Sequence, residues 1–131
     1  MTEPTGPTQH KTVAVIGASN DRRKYGNKAV RAYRDQGYRV VPISVHAHEI
    51  EGLPAYRSVL DVPGAMDAAL FYVPPDVGER VIVEIAQKGI ADVWLSPGAE
   101  SDELVAKARA LGLKPILACS IVAVGRNPSD L

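Results

Sequence analysis

The chain has 131 residues with 15 basic and 15 acidic side chains, so its formal net charge is zero. This length suffices for one domain with a sizeable core, and the balanced charge argues against binding to nucleic acid or a membrane surface. The single cysteine excludes an internal disulfide framework. With no apolar run of membrane-spanning length and no secretory pattern at the start, we expect a cytoplasmic protein.

Strands and helices are predicted to alternate after a short polar segment. Residues 1–11 are rich in Thr and Pro and are predicted to form a disordered tail, which leaves residues 12–131 as one domain. The predicted strands cover residues 12–16, 38–44, 67–73, 91–95 and 114–119, and the predicted helices cover residues 27–36, 76–88 and 100–111. This alternation predicts an α/β fold of Rossmann-like type, a single doubly wound and mainly parallel sheet with helices on both faces.

The first predicted strand carries the strongest functional signal. Its apolar run ends at Gly17 without a polar residue, which is typical of a strand buried on both faces of a parallel sheet. The segment Gly17, Ala18 and Ser19 therefore lies between a strand end and the amino terminus of a helix. Backbone N–H groups and the helix dipole favour an anion there, most often a phosphate.

The other predicted strands also end in small, polar or proline residues. Those ends are Pro42-Ile43-Ser44, Val73-Pro74-Pro75, Ser96-Pro97-Gly98 and Cys119-Ser120. Ligands of doubly wound sheets bind at the carboxyl ends of the strands. The strand ends are therefore predicted to form the floor of a ligand cleft. Residues 45–60 are expected to be an irregular loop with a short edge strand, and the residues after Cys119 a tail.

Two features of an NAD site are missing from the sequence. The G-x-G-x-x-G fingerprint is absent, because the next glycine after Gly17 is Gly26. The second predicted strand also ends without the acidic residue that holds the ribose hydroxyls of NAD, and the first acid beyond it is Glu49. NAD is therefore disfavoured as the ligand.

The densest cluster of positive charge is Arg22, Arg23 and Lys24, in the loop after the first strand. Such a cluster can pair with a terminal phosphate, which CoA and NADP carry and NAD lacks. Its alternative interpretation is a solvated surface loop. A small NADP-dependent oxidoreductase therefore stays open as a second function, although nothing in the sequence marks a site for a hydride-accepting substrate.

Several short motifs follow one another in a fixed order through residues 12–119. They are Val15-Ile16-Gly17-Ala18-Ser19, Val41-Pro42-Ile43, Gly52-Leu53-Pro54-Ala55-Tyr56-Arg57-Ser58, Val73-Pro74 and Trp94-Leu95-Ser96-Pro97-Gly98, with a late cysteine, Cys119. This order resembles the stand-alone CoA-binding protein family, small Rossmann-like proteins akin to the CoA-binding domain of succinyl-CoA synthetase.

The resemblance implies that the ligand is CoA or an acyl-CoA, a small-molecule nucleotide. The binding residues it implies are Gly17, Ala18 and Ser19 at the pyrophosphate, Pro42, Ile43 and Ser44 beside the adenine and ribose, Val73 and Pro74 along the middle of the cofactor, and Pro97 and Gly98 on the far side of the pocket. The basic cluster would then meet the terminal phosphate of CoA.

No combination of residues predicts a catalytic site, because no base is placed to activate a serine or the cysteine. The chain is therefore interpreted as a binding module without catalytic activity of its own. Docking on a separate catalytic partner and a homo-oligomer both stay open.

Two further features have a structural interpretation. His46 and His48 lack a convincing third ligand, so no metal site is predicted. Cys119 is predicted to be a small buried residue at a strand end, with a cleft-facing thiol as the alternative.

Overall fold

Seven strands and four helices make up the part of the fold formed by residues 11–131. The structure is a computed structural model that describes residues 11–131. The strands are β1 (Thr12–Ile16), β2 (Arg39–Ile43), β3 (Glu49–Ile50), β4 (Leu53–Pro54), β5 (Ala68–Phe71), β6 (Asp92–Leu95) and β7 (Lys114–Leu117). The helices are α1 (Tyr25–Asp35), α2 (Pro75–Lys88), α3 (Asp102–Ala110) and α4 (Ser120–Ala123), and two short 3-10 helices cover Val59–Asp61 and Pro128–Asp130.

Five of the strands form one parallel sheet in the order β2, β1, β5, β6, β7. The chain runs outward from β1 to β2, returns across β1, and continues in the opposite direction through β5, β6 and β7. The direction of winding therefore switches between β1 and β5. In doubly wound sheets the ligand binds beyond the carboxyl ends of the strands at this point. The predicted parallel α/β fold is confirmed.

Each face of the sheet is covered by its own helices. Val13 and Val15 of β1 pack in a cluster with residues of α1 and α4. Ala14 and Ile16 point to the other face and pack in a cluster with residues of α2 and α3. All five residues of β1 are buried, as predicted for a central strand covered on both sides. The same alternation places each side chain at the end of the other strands on either the α1 and α4 face or the α2 and α3 face of the sheet.

The segment between β2 and β5 holds more structure than the sequence indicates. β3 and β4 form a two-residue hairpin whose turn is Glu51-Gly52, both with positive φ. Such a turn matches the twist of its strands but strains any residue other than glycine, here Glu51 at φ 51°. The hairpin lies beside β2, where the amide of Tyr56 donates to the carbonyl of Pro42.

The carboxyl-terminal residues differ from the predicted tail, because they form α4 and the last 3-10 helix. Ile121 of α4 is fully buried in the α1 face of the core. One turn of helix is too short to show a periodic apolar pattern, so only packing stabilises it. The predicted tail at residues 1–11 lies almost entirely outside the described residues.

Strand β7 is an edge of the sheet, and within residues 11–131 no further strand pairs with its outer side. The amide of Lys114 donates to the carbonyl of Ala91 on the β6 side, so the next residue, Pro115, has its nitrogen on the open side. Proline lacks an N–H group and cannot pair with a further strand there. The sequence therefore protects this edge against pairing with another chain.

Candidate functional site

A cleft of about 870 Å³ lies beyond the carboxyl ends of β2, β1, β5 and β6, in that order. Its volume is in the range of sites for small molecules and cofactors. The predicted site residues that line it are Gly17, Ala18, Ser19, Lys24, Ile43, Ser44, Val73, Pro74, Pro97 and Gly98. Three others, Arg22, Arg23 and Pro42, are not among its lining residues.

Gly17 lies at the centre of the cleft floor, between β1 and β5. Its φ is +87°, and a Cβ atom added there would lie 2.5 Å from the carbonyl oxygen of Tyr72. The first turn of α1 reaches the same point, because a Cβ atom on Gly26 would collide with the carbonyl oxygen of Gly17. The two glycines thus let loop, helix and neighbouring strand meet without side chains between them. In the sequence, Gly26 appeared only as a glycine too far from Gly17 to form the G-x-G-x-x-G fingerprint. In the structure it is part of the packing at the site.

The free backbone donors of the loop lie one or two residues beyond those expected. The amides of Gly17 and Ala18 both donate to the carbonyl of Ile43, at 3.1 Å each. Within residues 11–131, no acceptor is found for the amides of Ser19 and Asn20. The first amides of α1, which begins at Tyr25, also have no acceptor inside the helix. The residues that carry these donors line the cleft, and free N–H groups at a helix amino terminus suit an anion.

Asn27, a fully buried polar residue in α1, supports this loop from behind. Its amide nitrogen donates to the carbonyl of Ser19 at 2.8 Å and to the carboxylate of Glu51 at 3.0 Å. Asn20 makes a second link to the hairpin by donating to the carbonyl of Glu49. The strained turn at Glu51 therefore holds a carboxylate against the loop, which explains why a residue other than glycine is tolerated there.

The basic cluster is divided between two directions. Arg23 pairs with Asp21 at 2.9 Å, and its side chain is 90% exposed. Arg22 turns to the hairpin and lies 3.4 Å from the carboxylate of Glu51. Lys24, which caps the amino end of α1, is the one member of the cluster that lines the cleft.

The ionised form of Asp21 is stabilised by its neighbour. The hydrogen bonds that Arg23 donates from its side chain and backbone hold the pKa of Asp21 at about 2, below its usual 3.8. Asp21 therefore stays charged at the cleft rim throughout the neutral range.

The β2 end of the cleft carries two further cationic or titratable side chains. Arg57 and His46 both line it and both are exposed. Arg57 donates to the carbonyl of Val45 at 3.2 Å, and Ser44 accepts from the amide of His46 at 3.1 Å. Arg57 lies inside one of the family motifs, so the sequence already pointed to this stretch. Only the fold shows that Arg57 lines the cleft.

The β5 and β6 end of the cleft is uncharged. Tyr72 and Ser96 line it from the α1 face of the sheet. The hydroxyl of Tyr72 lies 2.5 Å from that of Ser120 in α4. Burial raises the pKa of Tyr72, while hydrogen bonding to the Ser120 hydroxyl and the nearness of Ser96 oppose the rise, so the phenol is protonated at neutral pH.

The opposite wall of this end is apolar. Its side chains are Val73, Val77, Val81 and Ala99, which lie on the α2 face and pack against or near the main core. Strand ends on alternate faces of the sheet therefore give this end one hydroxyl wall and one hydrocarbon wall.

Neither of the two smaller sequence features becomes a site of its own. Cys119 is half-buried beside the α1 face of the core and is not among the cleft-lining residues. Within residues 11–131, no group of three or more potential ligands among His, Cys, Asp and Glu is placed to hold a metal. In the same part of the chain, none of the helices is both long and apolar enough to span a membrane.

A family model described as "CoA binding domain" matches residues 11–125 of the chain. Among curated proteins, the chain is 38% identical over 82 residues to the alpha subunit of ADP-forming acetate–CoA ligase II from Pyrococcus furiosus. That match covers 62% of this chain and 18% of the ligase subunit. The alpha subunit of ligase I from the same organism is 31% identical, with 92% of this chain and 29% of that subunit covered. The chain thus spans less than a third of either relative.

Solved structures agree with these matches. A conserved hypothetical protein from Pyrococcus furiosus has a TM-score of 0.78 and 34% identity, with 87% of this chain and 98% of that chain covered. The apo form of a dinucleotide-forming acetyl-coenzyme A synthetase 1 from Candidatus Korarchaeum cryptofilum has a TM-score of 0.72 and 31% identity. It covers 83% of this chain, which corresponds to 26% of the synthetase.

Proposed function

The chain belongs to the CoA-binding domain family, and from that premise we propose that CoA and its acyl esters bind in the cleft at the switch point. The observation that carries this proposal is the division of the cleft into a charged end and a neutral end. Asp21, Lys24, His46 and Arg57 line the β1 and β2 end, whereas the residues at the β5 and β6 end are uncharged. CoA has the same polarity, with a phosphorylated nucleotide at one end and an uncharged pantetheine arm at the other.

The pyrophosphate fits the loop after β1. The amides of Ser19 and Asn20, the Ser19 hydroxyl and the amino end of α1 supply donors along the same part of the cleft. Lys24 adds a positive charge beside them. The amides of Gly17 and Ala18 already donate to the carbonyl of Ile43. These two residues therefore contribute by letting the pyrophosphate approach the backbone closely, not by donating hydrogen bonds to it.

The remaining phosphate of CoA, on the ribose, fits Arg57 better than the cluster proposed from the sequence. Arg57 lines the β2 end beside Ile43 and Ser44, where the adenosine is proposed to lie. Arg22 and Arg23 are already paired with carboxylates at 3.4 Å and 2.9 Å. A guanidinium also matches the geometry of a phosphate with two parallel hydrogen bonds.

Isothermal calorimetry with CoA and dephospho-CoA tests this arrangement, with NADP and NAD as competing ligands. We expect Arg57→Ala to weaken CoA binding roughly tenfold, since a hydrogen bond to a charged group contributes about 1.5–3 kcal/mol and exposure reduces it. Dephospho-CoA should bind wild type and variant equally. Arg109→Ala, an exposed arginine of α3 outside the cleft, is the matched control and should change neither affinity.

Two results would count against the proposal in different ways. If Arg57→Ala weakened the binding of CoA and dephospho-CoA equally, Arg57 would not bind the ribose phosphate, although CoA would remain the ligand. Tighter binding of NADP than of CoA by the wild type would favour the small oxidoreductase instead.

We further propose that the chain alone carries out no reaction and acts as a CoA-binding module beside a catalytic partner. The support is that two of the similar proteins are alpha subunits of ligases, each one component of a larger enzyme. Incubation with acetate, CoA and ATP should therefore yield no acetyl-CoA above the protein-free rate. Formation of acetyl-CoA that depends on the purified chain would overturn this proposal.

A further inference from the structure

The hydroxyl of Ser96, at the carboxyl end of β6, is a buried polar group without a partner. Ser96 lines the cleft and only 4% of its surface is exposed. Among the residues described, 11–131, its Oγ atom forms no hydrogen bond. A buried hydroxyl left unpaired is unfavourable and needs an explanation.

The neighbours of Ser96 on the same face do not satisfy it. Tyr72 is close enough for the Ser96 hydroxyl to lower its pKa, but the two hydroxyls do not meet in hydrogen-bond geometry, and that of Tyr72 is engaged with Ser120 at 2.5 Å. Ser120 is fully buried, and its carbonyl accepts a further hydrogen bond from Tyr33 at 2.7 Å. Three elements therefore fix this hydroxyl cluster, and the unused hydrogen-bonding capacity is left at Ser96, on the cleft side.

The wall that faces this cluster is hydrocarbon. Val77 and Val81 of α2 line the cleft there, as does Ala99 beyond β6. This surface can cover a short alkyl chain but offers no polar partner to one. A group that satisfies both walls must carry a hydrogen-bonding atom next to a small apolar substituent.

We infer that the Ser96 hydroxyl, supported by Tyr72 and Ser120, binds the carbonyl oxygen of a short-chain acyl thioester, whose alkyl group lies against Val77 and Val81. The inference rests on the proposed binding of CoA in this cleft and adds that the site distinguishes an acyl-CoA from free CoA. The Ser96 oxygen is covered in the unliganded protein, so a change between staggered rotamers accompanies binding. The Ser96 hydroxyl donates a hydrogen bond to the carbonyl oxygen, and no covalent bond is made or broken.

The test is a cycle of four dissociation constants measured by calorimetry. The ligands are acetyl-CoA and S-ethyl-CoA, which differ only in the carbonyl oxygen, and the proteins are the wild type and Ser96→Ala. We expect the wild type to bind acetyl-CoA about tenfold more tightly than S-ethyl-CoA, as for one neutral hydrogen bond. In Ser96→Ala this preference should fall to about onefold, with the affinity for S-ethyl-CoA unchanged.

The control is Ser44→Ala, a buried serine at the nucleotide end of the cleft. It should affect both ligands by the same factor and leave the preference for acetyl-CoA intact. A wild-type preference near onefold would overturn the inference without any variant, and so would a tenfold preference that survives Ser96→Ala. In both cases binding of the two ligands would leave the proposed CoA site standing, whereas binding of neither would reject both proposals.

Discussion

The two ends of the cleft are built in different ways. The charged end consists of a loop at residues 19–24 and a hairpin turn, joined by Asn27 and by the carboxylate of Glu51. Its arginines Arg22 and Arg23 are exposed and pair with less exposed carboxylates, those of Glu51 and Asp21. The neutral end has a hydrocarbon wall and a wall of hydroxyl groups, of which those of Tyr33 and Tyr72 are bonded to Ser120.

This difference indicates where each end derives its strength. Exposed ion pairs contribute little to stability and weaken with salt, so the charged end is held mainly by the hydrogen bonds of the buried Asn27. Buried hydroxyl groups lose hydration on folding; within residues 11–131, those of Tyr33, Tyr72 and Ser120 are paired and that of Ser96 is not. The neutral end is therefore formed by the fold itself, before any ligand binds.

The largest expected effect comes from Gly17→Ala, because Gly17 joins the two ends. A Cβ atom there would meet the Tyr72 carbonyl at 2.5 Å while the backbone holds φ at +87°. The left-handed conformation and the overlap together should lower the free energy of unfolding by about 2–4 kcal/mol. Chemical denaturation of the purified variant measures this loss.

Gly89→Ala is the matched control, since Gly89 has φ +84° and no atom within 4 Å of its added Cβ. It should show only the conformational part of the loss, about 1–2 kcal/mol. Equal losses in the two variants would mean that the contact with Tyr72 is relieved easily.

A smaller effect, in a single variant, tests whether the two ends of the cleft are independent of each other. Ser120→Ala removes the hydroxyl that pairs with Tyr72, which should lower the free energy of unfolding by about 1 kcal/mol. Binding of adenosine 3′,5′-bisphosphate, which resembles only the nucleotide half of CoA, should be unchanged. Ser129→Ala, an exposed serine near the carboxyl terminus, serves as the control. A loss of affinity for the bisphosphate would show that the ends are coupled.

The smallest effect concerns the titration of the charged end. Because Arg23 lowers the folded-state pKa of Asp21 from 3.8 to about 2, the pair stabilises the fold above about pH 4. That contribution is lost as the pH falls through 2. NMR titration of the Asp21 carboxyl carbon should give a midpoint near 2 in the wild type and a higher one in Arg23→Gln, still below 3.8 because the backbone amide of residue 23 and Lys24 remain beside it. A midpoint near 3.8 in both would mean that the ion pair does not persist in solution.

The sequence by itself determined the five strands of the main sheet, its three longer helices and the end of the sheet at which the cleft lies. The apolar run before Gly17 predicted β1 with its observed bounds, because burial on both faces leaves Thr12, at the start of the strand, as its one polar residue. The later strands and helices were predicted to within a few residues, since their apolar periods and terminal glycines are local signals. The resemblance to CoA-binding proteins used the same local motifs and is confirmed by the family match.

Only the tertiary structure decided which groups at the cleft are free to act. The amides of Gly17 and Ala18 are occupied by Ile43, and Arg22 by Glu51, through contacts between residues far apart in the chain. Sequence patterns report which residue types are near one another along the backbone, but not which hydrogen bonds are already made. For the same reason the unpaired hydroxyl of Ser96 had no signature in the sequence: it exists because β6 ends beside Tyr72, whose hydroxyl is already bonded to α4.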